Sequence, residues 1–208
     1  DKVNGIGAWS EEDFANAVLH GVSPEGTHYY PSFPYTAYAN MTDQDIADLW
    51  VYFRSIPESS TPSIDHDLPI YVRWRRPLAF WKLLNKRQPI IDLASSDATI
   101  QRGAYLVETL GHCGECHTSR NFIGGLKYGY WLGGAKNPTG RGMIPSLTPA
   151  KFTWNTEEIV EYLASGFTPD FDVAGGHMVD VIENTSKLTE QDRLAIAEYL
   201  KAIPGVQK

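Results

Sequence analysis

The chain is short of sulfur: its 208 residues include two cysteines and three methionines. Two thiols exclude a disulfide-stapled scaffold, and they cannot build a structural zinc site of four cysteines. Positive charge is also scarce, with 18 Lys and Arg against 25 Asp and Glu and a formal net charge of -7. That balance argues against a nucleic-acid partner, because phosphate binding needs clustered excess Lys and Arg. No apolar run approaches the roughly 20 residues that span a bilayer, so no transmembrane helix is expected. The sequence opens Asp1-Lys2-Val3-Asn4-Gly5 rather than on a charged leader and an apolar run, and is read as mature, processed or truncated. A chain of this length suits two domains of about 100 residues each.

Both cysteines fall in Cys113-Gly114-Glu115-Cys116-His117. Two thiols at this spacing, with a histidine directly after them, are what covalent haem attachment requires. Each cysteine adds across one haem vinyl group, and the adjacent histidine is then held at the iron as its proximal ligand. A thioredoxin-like pair would follow a strand, whereas Gly111 and His112 follow an amphipathic helical stretch. Covalent haem attachment is expected outside the cytoplasm, which predicts a bacterial periplasmic location after loss of an export signal.

The sequence also repeats itself. Trp9-Ser10-Glu11-Glu12-Asp13, running to Gly21-Val22-Ser23-Pro24, returns as Trp154-Asn155-Thr156-Glu157-Glu158, running to Gly166-Phe167-Thr168-Pro169, at an offset of 145. Met41-Thr42-Asp43-Gln44-Asp45, running to Ile56-Pro57, returns as Leu188-Thr189-Glu190-Gln191-Asp192, running to Ile203-Pro204, at an offset of 147. Ser10 and Asn155 are placed as helix N-caps, and Gly21 and Gly166 as left-handed C-caps. Thr42 with Asp45, and Thr189 with Asp192, resemble capping boxes. At this offset the counterpart of the haem motif falls ahead of residue 1. Residues 1–57 are therefore expected to be the C-terminal part of a first domain that lacks its attachment half. Residues 58–97 read as a Pro-rich strap and 98–208 as a complete domain. The missing half is expected to belong to a longer protein, to have been cleaved, or to come from another polypeptide.

Prolines at 62, 69, 77 and 89 forbid a continuous helix in the strap and leave room for one short helix over Leu78 to Leu84. Its basic aromatic run, Arg73 to Lys82, suits a docking or membrane-surface patch, or a linker whose aromatics pack between domains. From Asp97 the apolar positions Ile100, Ala104, Leu106, Val107 and Leu110 predict the helix that delivers the haem motif.

For the second axial position the sequence offers Met143, in a Gly-rich loop, and Met178, after Gly175-Gly176-His177 and shortly before the last helix. Met178 is the choice here, with His177 as the competing ligand and a core-filling methionine as the ordinary alternative. Met/His ligation would raise the reduction potential and suit outer-sphere electron transfer. Pro145 is a candidate acceptor for the free ring N–H of His117, or an ordinary turn proline. Arg120 and Arg141 are candidates to meet haem propionates, or are solvated. Trp131, Trp154 and Phe167 either wall the ring or fill the core.

Arg102-Gly103-Ala104-Tyr105-Leu106-Val107, leading into Gly111-His112-Cys113-Gly114-Glu115-Cys116-His117-Thr118-Ser119-Arg120-Asn121, resembles the multihaem cytochrome c subunits of periplasmic, membrane-associated dehydrogenases acting on alcohols, gluconate and related substrates. Gly5 to Ser10, Tyr30 to Tyr35, Trp74 to Trp81 and Gly176-His177-Met178 match as well. The resemblance implies an all-α fold of two class I cytochrome c-like domains in tandem, the first without its N-terminal half. It implies Cys113 and Cys116 as attachment points of one haem c, with His117 and Met178 as axial ligands. It also implies Met41 as a ligand of a second haem c, expected if the N-terminal segment is present. The internal repeat instead aligns Met41 with Leu188 and puts the counterpart of Met178 at Pro31 to Phe33, which leaves a core role open. The implied function is electron transfer from a dehydrogenase donor to a quinone, cytochrome or oxidase acceptor, as a carrier subunit rather than a catalyst. The alternatives are a haem oxidoreductase resembling thiosulfate dehydrogenase or a peroxidase, and a gas sensor.

Overall fold

The computed structural model describes residues 1–86, 90, 97–138 and 140–206, with Tyr71 by its backbone alone. Pro89 and the neighbouring strap residues 87–88 and 91–96 lie outside the described residues. The chain parts into two compact, mainly helical units, Asp1–Arg87 and Gln88–Lys208.

The first unit comprises α1 (Glu11–His20), α2 (Tyr35–Tyr38), α3 (Asp43–Ser55), a 3-10 turn (Ile70–Val72) and α4 (Pro77–Leu84). α1 begins where its sequence dictates. The Ser10 hydroxyl accepts from the Asp13 N–H at 3.1 Å while the Asp13 carboxylate accepts from the Ser10 N–H at 2.9 Å, satisfying two amides that the helix itself cannot. It ends at Gly21 (φ 60°), where any side chain would run into the Tyr35 ring. Phe14, Ala17, Val18, Tyr35, Met41 and Ile46 form the core of this unit. The short helix expected over Leu78 to Leu84 is present as α4. Its Lys82 ammonium donates to the His20 and Gly21 carbonyls at the negative end of α1, at 2.5 and 2.9 Å, and fastens α4 there.

In the second unit α5 (Ala98–Tyr105), capped by Asp97, runs on into a π-helical turn over Leu106–Leu110. Then follow α6 (Gly114–His117), a small antiparallel hairpin of β1 (Ala135–Lys136) and β2 (Met143–Ile144), α7 (Thr156–Ser165), α8 (Met178–Thr185) and α9 (Glu190–Ala202). The core lies where α5 crosses α9. Ala104 and Val107 meet Ala195, Ile196, Tyr199 and Leu200 there, with Ile159 of α7 in the same cluster. Arg102 of α5 also donates from Nε and Nη2 to both carboxylate oxygens of Asp192 on α9, at 2.7 and 3.1 Å. This guanidinium holds the Asp192 carboxyl below the usual carboxylate range. A carboxyl depressed in the fold contributes stability that is present above its unfolded pKa, about 3.9, and lost as pH falls through the folded value. Urea unfolding across about pH 5 to pH 2 is expected to show this loss, and Arg102→Gln to flatten it.

The sequence repeat recurs in the hydrogen bonds. Tyr29 N–H donates to the Gly21 carbonyl at 2.8 Å and Ala174 N–H to the Gly166 carbonyl at 2.8 Å. Val22 bridges His28, as Phe167 bridges Val173. α3 and α9 are both 13 residues long and each starts from a threonine cap. They differ in what covers them. Tyr199 and Leu200 of α9 are 0% and 6% exposed beneath α5, while their counterparts on α3, Tyr52 and Phe53, are 61% and 40% exposed.

Candidate haem site

The π-helical turn ends as the Gly111 N–H donates to the Leu106 carbonyl at 2.7 Å, and His112 follows in a left-handed conformation (φ 39°). The chain thereby turns into α6, a single helical turn whose His117 N–H donates to the Cys113 carbonyl at 3.0 Å. Cys113 and Cys116, three apart on this turn, share a face. Cys113 is half-buried and Cys116 exposed. Burial pushes the Cys113 thiol up to about 11.

His117 is buried, and its Nδ1 donates to the Pro145 carbonyl at 2.8 Å. A carbonyl only accepts, so the proton sits on Nδ1 and the lone pair on Nε2, the form in which imidazole binds a metal. Burial lowers the ring's pKa, with the Pro145 bond opposing in part, and keeps the ring neutral.

The residues around His117 close into a ring of hydrogen bonds. The His117 carbonyl accepts from the Gly134 N–H at 2.8 Å, and the Thr118 hydroxyl accepts from the Leu132 N–H at 3.0 Å. The Leu132 carbonyl in turn accepts from the Leu147 N–H at 2.8 Å, two residues past Pro145. Leu132 is fully buried in a left-handed conformation (φ 52°), a strained state that these bonds hold in place.

Trp131 is buried, and its indole lies against Gly114 so closely that any side chain there would enter the ring. Trp131 Nε1–H donates to the Tyr199 hydroxyl at 3.0 Å, and the Tyr199 hydroxyl donates to the buried Glu108 carboxylate at 2.6 Å. The helical period after Thr189 puts Tyr199 on the apolar face with Leu194, Ile196, Ala197 and Leu200, but nothing in the sequence pairs it with Glu108. The one signal of Glu108 was its place between the apolar positions Val107 and Leu110.

The remaining candidates separate. Arg120 donates to the Gly124 carbonyl at 2.9 Å and forms an ion pair with Glu115, bracing the loop that follows the motif. Arg141 is exposed. Met178 is half-buried and heads α8, one residue beyond exposed His177, whereas Met143 is 66% exposed on β2. Trp154 meets Phe152 at a tilt and Tyr162 edge-on, and Phe167 is exposed. Met41 lies in the core of the first unit, while its repeat counterpart Leu188 packs against the core of the second.

Two thiols one helical turn apart, beside an imidazole oriented through Nδ1, are what a covalently attached haem takes: the thiols for its vinyl groups and the imidazole for its iron. Among the described residues no group of three or more His, Cys, Asp or Glu is arranged to hold a bare metal ion instead. This helical chain with its attachment turn is a c-type cytochrome.

No family model matches the chain. It is 50% identical over its full length to a diheme cytochrome c-type protein of Cereibacter sphaeroides, spanning 70% of that protein. It is 35% identical, over 99% of its length, to the cytochrome c subunit of alcohol dehydrogenase (quinone) of Gluconobacter oxydans. It is 34% identical, over 98%, to the gluconate 2-dehydrogenase cytochrome c subunit of Pantoea cypripedii. The chain spans 46% and 49% of those two subunits. It belongs to the diheme cytochrome c family, related to the cytochrome c subunits of these dehydrogenases.

Proposed function

We propose that this chain carries single electrons through a haem c attached at Cys113 and Cys116, from a periplasmic dehydrogenase to a quinone, cytochrome or oxidase acceptor. The observation that carries the reading is the His117 to Pro145 hydrogen bond, which fixes the imidazole as a ligand directly after the two thiols. Bound here, haem c supplies a one-electron Fe(III)/Fe(II) couple. The cysteines fasten the porphyrin to α6, and His117 presents Nε2 to the iron.

Met178 would be the second protein ligand of that iron, and would leave it no open site for a substrate. Its placement at the head of α8, after Gly175 and Gly176, supports this choice over Met143, exposed on the hairpin. Met178→Ala is expected to abolish the weak near-infrared band of methionine ligation and to make carbon monoxide bind rapidly and completely to the reduced protein. Met143→Ala should leave both unchanged. Rapid, complete binding in the wild type would overturn the carrier reading in favour of an oxidoreductase.

Residues 1–57 are the C-terminal part of a first cytochrome c domain and residues 98–208 a complete one, so that two class I-like domains follow in tandem. The bare face of α3 supports this, because the equivalent face of α9 is covered by α5, the helix that leads into the haem motif. A second haem c, attached through a segment outside this sequence, would then take Met41 as its axial ligand. The exposed residues Trp74, Phe80, Leu83 and Leu84 beside Arg73 and Arg76 suit association with a membrane surface. Among the described residues no helix is long and apolar enough to cross a membrane.

A further inference from the structure

We infer that Glu108 is a positioning residue for the haem-attachment turn, acting through Tyr199 and Trp131. The inference rests on the reading of Cys113, Cys116 and His117 as the haem site. Indole N–H only donates, so in the Trp131 to Tyr199 bond the phenol oxygen must accept. The phenol's own proton then has to leave in another direction, and it goes to Glu108 Oε1 at 2.6 Å.

The direction of each bond therefore follows from the indole donor at one end, and the chain of bonds terminates on the Glu108 carboxyl. Glu108 itself is 4% exposed on the π-helical turn that enters the motif. Inserting one extra residue per turn is how a helix re-aims a side chain, and such turns recur at functional sites. At the far end of the chain of bonds, the outer edge of the Trp131 six-membered ring lies against Gly114, the residue between Cys113 and Glu115. The indole thus abuts the first residue of α6, the turn that follows Cys113 and carries Cys116 and His117. A buried acid is expensive to keep, and an apolar residue would serve packing better. What the carboxylate adds is a fixed orientation of Tyr199, and through it one position for the indole.

The test is a double-mutant cycle on the holoprotein with Glu108→Leu, Tyr199→Phe and the pair. The readouts are the near-infrared methionine-to-iron band and the rate of carbon monoxide binding to the reduced protein. Tyr199→Phe keeps the ring and removes only the hydroxyl. Each single variant is expected to weaken the band and to speed carbon monoxide binding by up to about tenfold, the lower end of what losing a group bonded directly to a metal ligand costs, because these two act one step further out. The pair should match Tyr199→Phe alone, because the inferred action of Glu108 on the motif runs through that hydroxyl. Glu108→Gln, which keeps an acceptor oxygen, should restore the wild-type values and also covers the case in which Glu108→Leu fails to fold. Additive effects in the pair, or a Glu108→Gln variant as altered as Tyr199→Phe, would overturn the inference. A haemochrome assay of the wild type comes first: absence of covalent haem there would refute the parent reading, whereas haem present with additive variants would refute only the role of Glu108.

Discussion

A chain carrying both Cys113→Ala and Cys116→Ala is expected to be recovered with no covalent haem, whereas the unaltered motif should hold one. The reason is local and chemical. The thioether bonds need these two sulfurs, and the sequence holds no third cysteine to replace either. Each single variant keeps one attachment point and should retain haem in reduced yield. Acid-acetone extraction followed by a pyridine haemochrome assay reads the difference, and intact mass confirms it. Haem that stays with the denatured double variant would show that this motif is not the attachment site. His117→Ala tests the other half of the site: both thioethers form, but the iron loses the ligand that the Pro145 carbonyl orients.

The largest loss of stability is expected from Gly103→Ala, although alanine is by about 1 kcal/mol the better helix former. Gly103 lies where α5 crosses α9. A Cβ there would run into the Ala195 carbonyl and the Tyr199 Cβ, neither of them the movable end of a flexible side chain. The two helices would have to separate, uncovering Ala195, Ile196, Tyr199 and Leu200 in the middle of the core. Overpacking of this kind typically costs about 1–3 kcal/mol, and a clash with backbone belongs at the upper end or above. For a unit of this size a fall in Tm of about 10 °C or more should follow. Calorimetry of the holoprotein measures it, with Gly129→Ala as the control, since a methyl there meets no other atom and the backbone has no positive φ. A Gly103→Ala protein that melts with the wild type would mean that the crossing is looser than described.

What could be read from the sequence was whatever is decided within a few residues. Ser10 and Asn155 cap their helices, Gly21 and Gly166 end them in left-handed conformations, and the offset that pairs them reappears in matching backbone bonds. The attachment motif is equally local. Pro145 also sits where its candidate role placed it, with its carbonyl on His117 Nδ1. The relations that escaped are those made across long stretches of chain. Glu108 and Tyr199 are 91 residues apart, and no periodicity announces that a glutamate within an apolar helical face will find a buried phenol. The π-helical turn read as unbroken helix, because its apolar spacing fits either form. Leu132 carries no sign of its positive φ, since side-chain type predicts that conformation mainly for Gly, Asn and Asp. Arg120 pairs with Glu115, five residues earlier, a contact that its residue type alone did not announce.

The closed ring of hydrogen bonds through His117, Thr118, Leu132, Leu147 and Pro145 bears on how fast an electron can enter or leave. Electron transfer is slowed by every nucleus that must move when charge changes, and an imidazole on a flexible loop would tilt and slide as its iron alternated between valences. Here the ring nitrogen is tied to Pro145, the histidine's own carbonyl is tied to Gly134, and the two tethers are joined through Leu132 and Leu147. On the proposed ligation the dipoles would already be set before the charge arrives, leaving little rearrangement for the transfer itself. The strained backbone of Leu132 would then be the conformational cost of that rigidity.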